Sequence, residues 1–120
     1  MPNFYYAEKG MLKMTVEITV GEEFLTAALS GELDHHTAAK ARELIDARLE
    51  RHTPKLCIMD FSRVSFMDSS GIGLILGRQR AAELYGGKVM IKNPSRYAEK
   101  IIKLAGLGAM ILPEKVITNH

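Results

Sequence analysis

Apolar and polar positions along this 120-residue chain switch between two spacings. Met14 to Val20 alternates β-branched and polar residues, the period-two signature of a half-buried strand. Gly21-Glu22-Glu23 is a turn, Phe24 to Leu29 reads as the returning strand of a hairpin, and Ser30-Gly31-Glu32 closes it. The spacing then becomes helical. Ala38, Ala41, Ile45 and Leu49, with Leu44 beside them, predict a helix over Thr37 to His52, capped by Asp34 or Thr37 and stopped before Pro54. Lys40, Arg42, Glu43, Asp46, Glu50 and Arg51 supply its wet face. Lys55 to Phe61 is a nearly continuous apolar run that suits a strand with parallel neighbours and puts Asp60 near the sheet's edge.

Ser69 to Tyr85 predicts a second helix, apolar all round in its first half and hence buried there, with Arg78, Arg80 and Glu83 wetting its second half. Gly73 and Gly77 share one face, where missing side chains predict a close backbone approach that offsets about 1 kcal/mol of helix propensity each. Gly86-Gly87 ends this helix, and Lys88 to Ile91 is a short strand. A third helix opens with Asn93 as cap and Pro94 in its first turn, carries the stripe Tyr97, Ile101 and Leu104, and ends at Gly106 followed by Leu107. Met110 to Leu112 completes the order β-β-α-β-α-β-α-(β), an α/β domain with a mixed sheet.

Composition narrows the class. An apolar fraction of 47% and a charged fraction of 25% are those of an ordinary globular domain. A chain this short makes one domain that buries about two-thirds of its unfolded surface. The lone cysteine, Cys57, cannot form an internal disulfide and reads as a small core residue, which suits a reducing, cytoplasmic setting. No apolar run reaches the ~18 residues of a membrane span, and residues 1–10 lack the apolar stretch of a signal peptide. Charge is uneven: residues 1–60 hold seven Lys/Arg against ten Asp/Glu, and residues 61–120 hold nine against four. Lys92, Arg96, Lys100 and Lys103 read as a wet face, because no aromatic residues interleave them as single-strand binding requires, so no direct nucleic-acid contact is expected.

Two segments carry candidate chemistry. In Ser65-Phe66-Met67-Asp68-Ser69-Ser70-Gly71, an acid and two hydroxyls stand at the entry of a helix, where unpaired amides and the helix dipole favour an anion. Asp68 or Ser69 caps the helix there; a serine hydroxyl at the same place is also a site for phosphorylation by another protein. A serine hydrolase is a third reading. However, the first glycine of G-x-S-x-G is missing, and the spacing selects none of His35, His36, His52 or His120 as a partner. Gly31-Glu32-Leu33-Asp34-His35-His36-Thr37 is the other segment. Adjacent loop residues do not converge on one ion, so no metal is expected; a polar loop that caps a helix and touches a partner fits better.

Together, GELDHHT at residues 31–37 and SFMDSSGIGLILGR at residues 65–78 resemble the bacterial anti-sigma factor antagonists, single STAS domains, and the sporulation members above all. The likeness runs over roughly residues 12–112. It implies a non-catalytic switch without a cofactor. The unmodified protein would bind an anti-sigma factor that is also a serine kinase and so release a sigma factor. Phosphorylation of Ser69, or as second choice Ser70, would end that binding, and a PP2C-type phosphatase would restore it. By the same resemblance Asp34, His35, His36, Asp68, Ser69, Ser70 and Gly71 border the partner surface. Residues 1–10 are expected to be an extension outside the family pattern, with Met11 a candidate start, and residues 11–120 the single STAS domain with its C-terminal helix short or absent. Two alternatives share the fold: a scaffold subunit of a stress-signalling complex, and an accessory subunit without sigma-factor control.

Overall fold

Alternate residues of successive strands are buried in register, and this parity builds the sheet. The computed structural model describes residues 6–8 and 11–113. Strands β1 (Tyr6–Glu8), β2 (Met11–Val20), β3 (Phe24–Leu33), β4 (Leu56–Met67) and β5 (Lys88–Lys92) lie side by side in that order. β1–β2 and β2–β3 are antiparallel; β3–β4 and β4–β5 are parallel. The parallel connections are made by helices α1 (His35–His52) and α2 (Ser69–Leu84), and α3 (Arg96–Leu104) follows β5. The expected mixed α/β order therefore holds, preceded by β1, which lies in the stretch set apart as an extension. The expectation about a C-terminal helix falls on residues 114–120, outside the described residues.

The core lies between one face of the sheet and the helices. Val16, Ile18, Leu25, Ala27, Leu29, Cys57, Met59, Phe61 and Ile91 from the strands meet Ala41, Ile45, Leu49, Leu74 and Ile75 from α1 and α2. Burial raises the Cys57 thiol from its ordinary 9.0 to about 12, an effect that the nearby Arg78 cation opposes. The unfolded thiol ionises first, so stability is full below pH 9.0. It falls by about 1.4 kcal/mol per pH unit as the pH rises from there towards 12. At pH 8 the native protein should leave Cys57 unreacted with a chromogenic disulfide reagent, and should react fully once unfolded in guanidinium; prompt reaction of the native protein would contradict this burial.

Several boundaries move, each for a local reason. β3 does not close at Ser30-Gly31-Glu32 but runs through to Leu33, with Gly31 at φ 113° supplying a backbone shape that other residues resist. β4 does not stop at Phe61, so Asp60 sits within the strand. Its Oδ1 accepts from Ser62 N at 3.0 Å and Ser62 Oγ at 2.8 Å. Beyond it the register slips twice: Ala28 and Ser30 pair with Asp60 and Arg63, and Gly31 and Glu32 with Val64 and Phe66. Each slip is a bulge that inserts one residue, so the buried positions of β4 run Cys57, Met59, Phe61, Val64, Met67.

α3 begins two residues later than its expected Pro94 start. Ser95 caps it, accepting from Ala98 N at 3.0 Å, while Asn93 is left-handed at φ 48°. Its fully buried residues are Ala98 and Ile102; of the expected stripe only Ile101 packs against the core, while Tyr97 and Leu104 are 61% and 80% exposed. Its C-terminal end is as expected: Gly106 N donates to Lys103 O and Leu107 N to Ile102 O, the Schellman arrangement. The expected last strand is reduced to a 3-10 turn at Gly108–Met110 and a single parallel bridge between Ile91 and Ile111.

Candidate functional site

The last residues of β3 and β4, Leu33 and Met67, are ladder partners, and each strand passes directly into a helix. The parallel pair thus sets two helix N-termini side by side. Asp34 caps α1 and Asp68 caps α2, both with extended backbone. Asp68 N also donates to Leu33 O at 3.3 Å, tying one entry to the other. The two sequence segments with candidate chemistry, about thirty residues apart, are one site at the C-terminal end of the parallel strands.

At the α1 entry, Asp34 Oδ1 accepts from His36 N and Thr37 N, each at 2.9 Å. Thr37 Oγ1 accepts from Asp34 N at 2.9 Å and donates to Glu32 O at 2.7 Å. Thr37 is fully buried and closes a reciprocal capping box, a role the sequence reading offered only as an alternative cap. The D-x-x-T spacing was the signal. Thr37→Val keeps the volume but removes these bonds and should cost about 1–2 kcal/mol in urea unfolding; an unchanged midpoint would show that the box contributes nothing.

At the α2 entry, Asp68 Oδ1 accepts from Ser70 N at 2.8 Å, and Gly71 N donates to Asp68 O at 3.0 Å. Ser69, the first helical residue, is exposed, and Ser70 is half-buried. Gly71 is buried. A methyl group there would come within 2.6 Å of Met67 Cγ and Sδ, so its glycine allows the first turn to sit against the end of β4. His35 and His36 are exposed in the first turn of α1. No three His, Cys, Asp or Glu residues are grouped as metal ligands among the described residues.

Between α1 and α2 lies an open cleft of about 340 Å³, lined by His35, Ala38, Arg42, Ser70, Gly73 and Gly77 among others. The glycines do not admit another backbone, as their spacing had suggested: nothing stands within 4 Å of a Cβ placed on either, and together they leave the cleft open. Arg78, expected on a wet face with Asp46, is instead only 5% exposed. Its Nη2 donates to Asp46 Oδ2 at 3.2 Å, and its Nε stands 2.7 Å from Oδ1 without hydrogen-bond alignment, an ion pair that fastens α2 to α1. Burial pulls the guanidinium down from its ordinary value, and Asp46 opposes that shift. Its place in the stripe Leu74, Arg78, Ala82 was the available sequence signal.

Comparison with known proteins agrees with this architecture. The STAS domain family model matches residues 15–120. The anti-sigma F factor antagonist of Lysinibacillus sphaericus is 39% identical over 93 residues, covering 78% of this chain and 80% of its own. The anti-sigma-B factor antagonist of Bacillus subtilis is 26% identical over 101 residues, 83% of this chain and 90% of its own. The unphosphorylated form of the anti-sigma factor antagonist SpoIIAA aligns with a TM-score of 0.75 at 36% identity, over 86% of this chain and 93% of that one. The phosphorylated form of the Bacillus SpoIIAA aligns with a TM-score of 0.68 at 36% identity, over 86% and 96%. With the family model covering most of its length and the SpoIIAA fold reproduced, this chain belongs to the STAS domain family.

Proposed function

We propose that this protein is an anti-sigma factor antagonist switched by phosphorylation of Ser69. The observation that carries the reading is an exposed serine at the first position of α2, beside the capped entry of α1. In its unmodified form the protein binds, through this double helix entry, an anti-sigma factor that is also a serine kinase, and a sigma factor is released. Asp34, His35, His36, Asp68, Ser69 and Ser70 form the bound surface, with Gly71 shaping it from below.

The switch is electrostatic. A phosphate adds about −1.5 to −2 charge at neutral pH. It arrives beside the capping carboxylate of Asp68, with Asp34 capping the neighbouring helix entry. The α2 amides tolerate that charge locally, whereas a partner surface fitted to the unmodified end does not. The fold need not change, in keeping with the alignment of SpoIIAA in both of its forms. A PP2C-type phosphatase removes the phosphate. The chain itself is non-catalytic, cytoplasmic and needs no cofactor. Residues 11–120 form its one domain, and residues 1–10 an extension that brings the edge strand β1. Sporulation is the programme that the resemblance favours.

The test is retrieval of the bound kinase from the native host, followed by phosphosite mapping after incubation with ATP. Phosphate on Ser69, absent from Ser69→Ala, is expected. Phosphate on Ser70 alone moves the switch by one residue, and recovery of no anti-sigma factor refutes the reading.

A further inference from the structure

Helix α2 carries two interior glycines that its own fold does not require. Gly73 and Gly77 stand four positions apart, where alanine would hold the helix better. Neither takes a left-handed backbone, and a Cβ placed on either meets nothing within 4 Å. Both line the cleft of about 340 Å³ between α1 and α2, and α1 adds two more small residues to it, Ala38 and Ala39. A body that enters the cleft from outside the chain accounts for the propensity these glycines forfeit.

The charge of the cleft says what that body carries. Arg42 of α1 and Arg78 of α2 both line it, and no carboxylate does. Asp46 engages Arg78, whereas the exposed Arg42 makes no ion pair among the described residues. The two guanidiniums repel, the Arg42 cation adding to the burial that lowers Arg78. Arg78 is buried, and its Nε has no aligned acceptor among the described residues. Positive charge in excess, with a donor unfilled, suits a negatively charged group. A free anion gains nothing from Gly73, Gly77, Ala38 and Ala39, which offer it no side-chain donor. A polypeptide segment gains from both parts: its atoms lie against the small residues while its carboxylate meets Arg42.

His35 and Ser70 line the same cleft and belong to the proposed partner surface, so the cleft continues that surface between the helices. Resting on that reading, we propose that the cleft between α1 and α2 receives a carboxylate-bearing segment of the anti-sigma factor, which packs on Gly73 and Gly77 and pairs with Arg42. The segment then lies against Ser70, one residue from Ser69. A phosphate on Ser69 brings its charge next to the incoming carboxylate, which gives the switch a group to repel.

Two substitutions separate binding from folding, because each favours the fold and harms the complex. Gly77→Ala puts a methyl group into open space and should raise the urea midpoint by about 0.5 M. The same methyl stands where the segment packs and should weaken binding at least about fivefold. Arg42→Glu removes the repulsion on Arg78, so the midpoint should hold or rise, while binding falls at least about tenfold. Titration calorimetry with the anti-sigma factor purified from the native host measures both affinities. If the unaltered chain binds and either variant binds as tightly, the cleft is not the contact: this proposal falls and the phosphorylation switch stands. If the unaltered chain binds no anti-sigma factor, both fall. A Tm raised by millimolar phosphate over a chloride control of equal ionic strength, and not raised in Arg42→Glu, also overturns the proposal, because it gives the cleft to a free anion.

Discussion

Ser69→Ala retains its anti-sigma factor and takes up no phosphate from it, while Ser69→Glu binds at least about tenfold more weakly, a loss of about 1.4 kcal/mol. The asymmetry follows from the geometry. The Ser69 hydroxyl is exposed and makes no hydrogen bond that holds α2 in place, because Asp68 supplies the cap. Removing it leaves the surface almost unaltered. A carboxylate at the same position adds negative charge beside Asp68, in a contact that must shed water. Glutamate carries about half the charge of a phosphate, so its effect is a lower bound for the modified protein. Titration calorimetry of both variants with the purified anti-sigma factor measures the difference, and equal affinities would remove charge as the basis of the switch. Asp68→Ala provides the contrast. It removes the cap and should cost about 1 kcal/mol of stability as well as affinity.

Asp46→Ala should destabilise the fold by about 3 kcal/mol, or about 10 °C in Tm, whereas Arg78→Met should cost about 1 kcal/mol. The two ends of the ion pair are not equivalent. The Asp46 side chain is 41% exposed, so its carboxylate reaches water through Oδ2 although Oδ1 is buried; the Arg78 side chain is 6% exposed and does not reach it. Without Asp46 the guanidinium stays charged and buried, and the repulsion from Arg42 acts on it unopposed. Methionine at 78 keeps the stem's packing without the charge. The double change should therefore cost little more than Arg78→Met alone. Urea unfolding of the three variants measures this, and an additive double mutant would show that the pair contributes no coupling. Because the pair joins α1 to α2, Asp46→Ala should also loosen the placement of the two helix entries and weaken partner binding.

Secondary structure was legible wherever burial followed a regular period. β2, the first half of β3, α1, α2 and the C-terminal turn of α3 all stand within a few residues of where spacing and turn chemistry place them. Legibility failed where tertiary contacts broke the period. The two bulges of β4 space Phe61, Val64 and Met67 three apart, so alternation vanishes although the strand continues. α3 buries Ala98 and Ile102 fully and packs Ile101 against the core, leaving Tyr97 and Leu104 outside. Arg78 looked like a solvent-facing charge because a one-dimensional pattern cannot show that Asp46, thirty-two positions away, lies across a helix interface.

The sequence by itself determined the α/β class, the helix-entry serine and the two segments whose resemblance gave the family. Those depend on local propensity, capping and motif spacing, which act over a few residues. Only the tertiary structure decided that the two segments form one site, that Gly73 and Gly77 open a cleft where a packing contact was expected, and that the described helices all lie on one face of the sheet. Those depend on strand register and on the handedness of the crossovers, and both are settled only when distant parts of the chain meet.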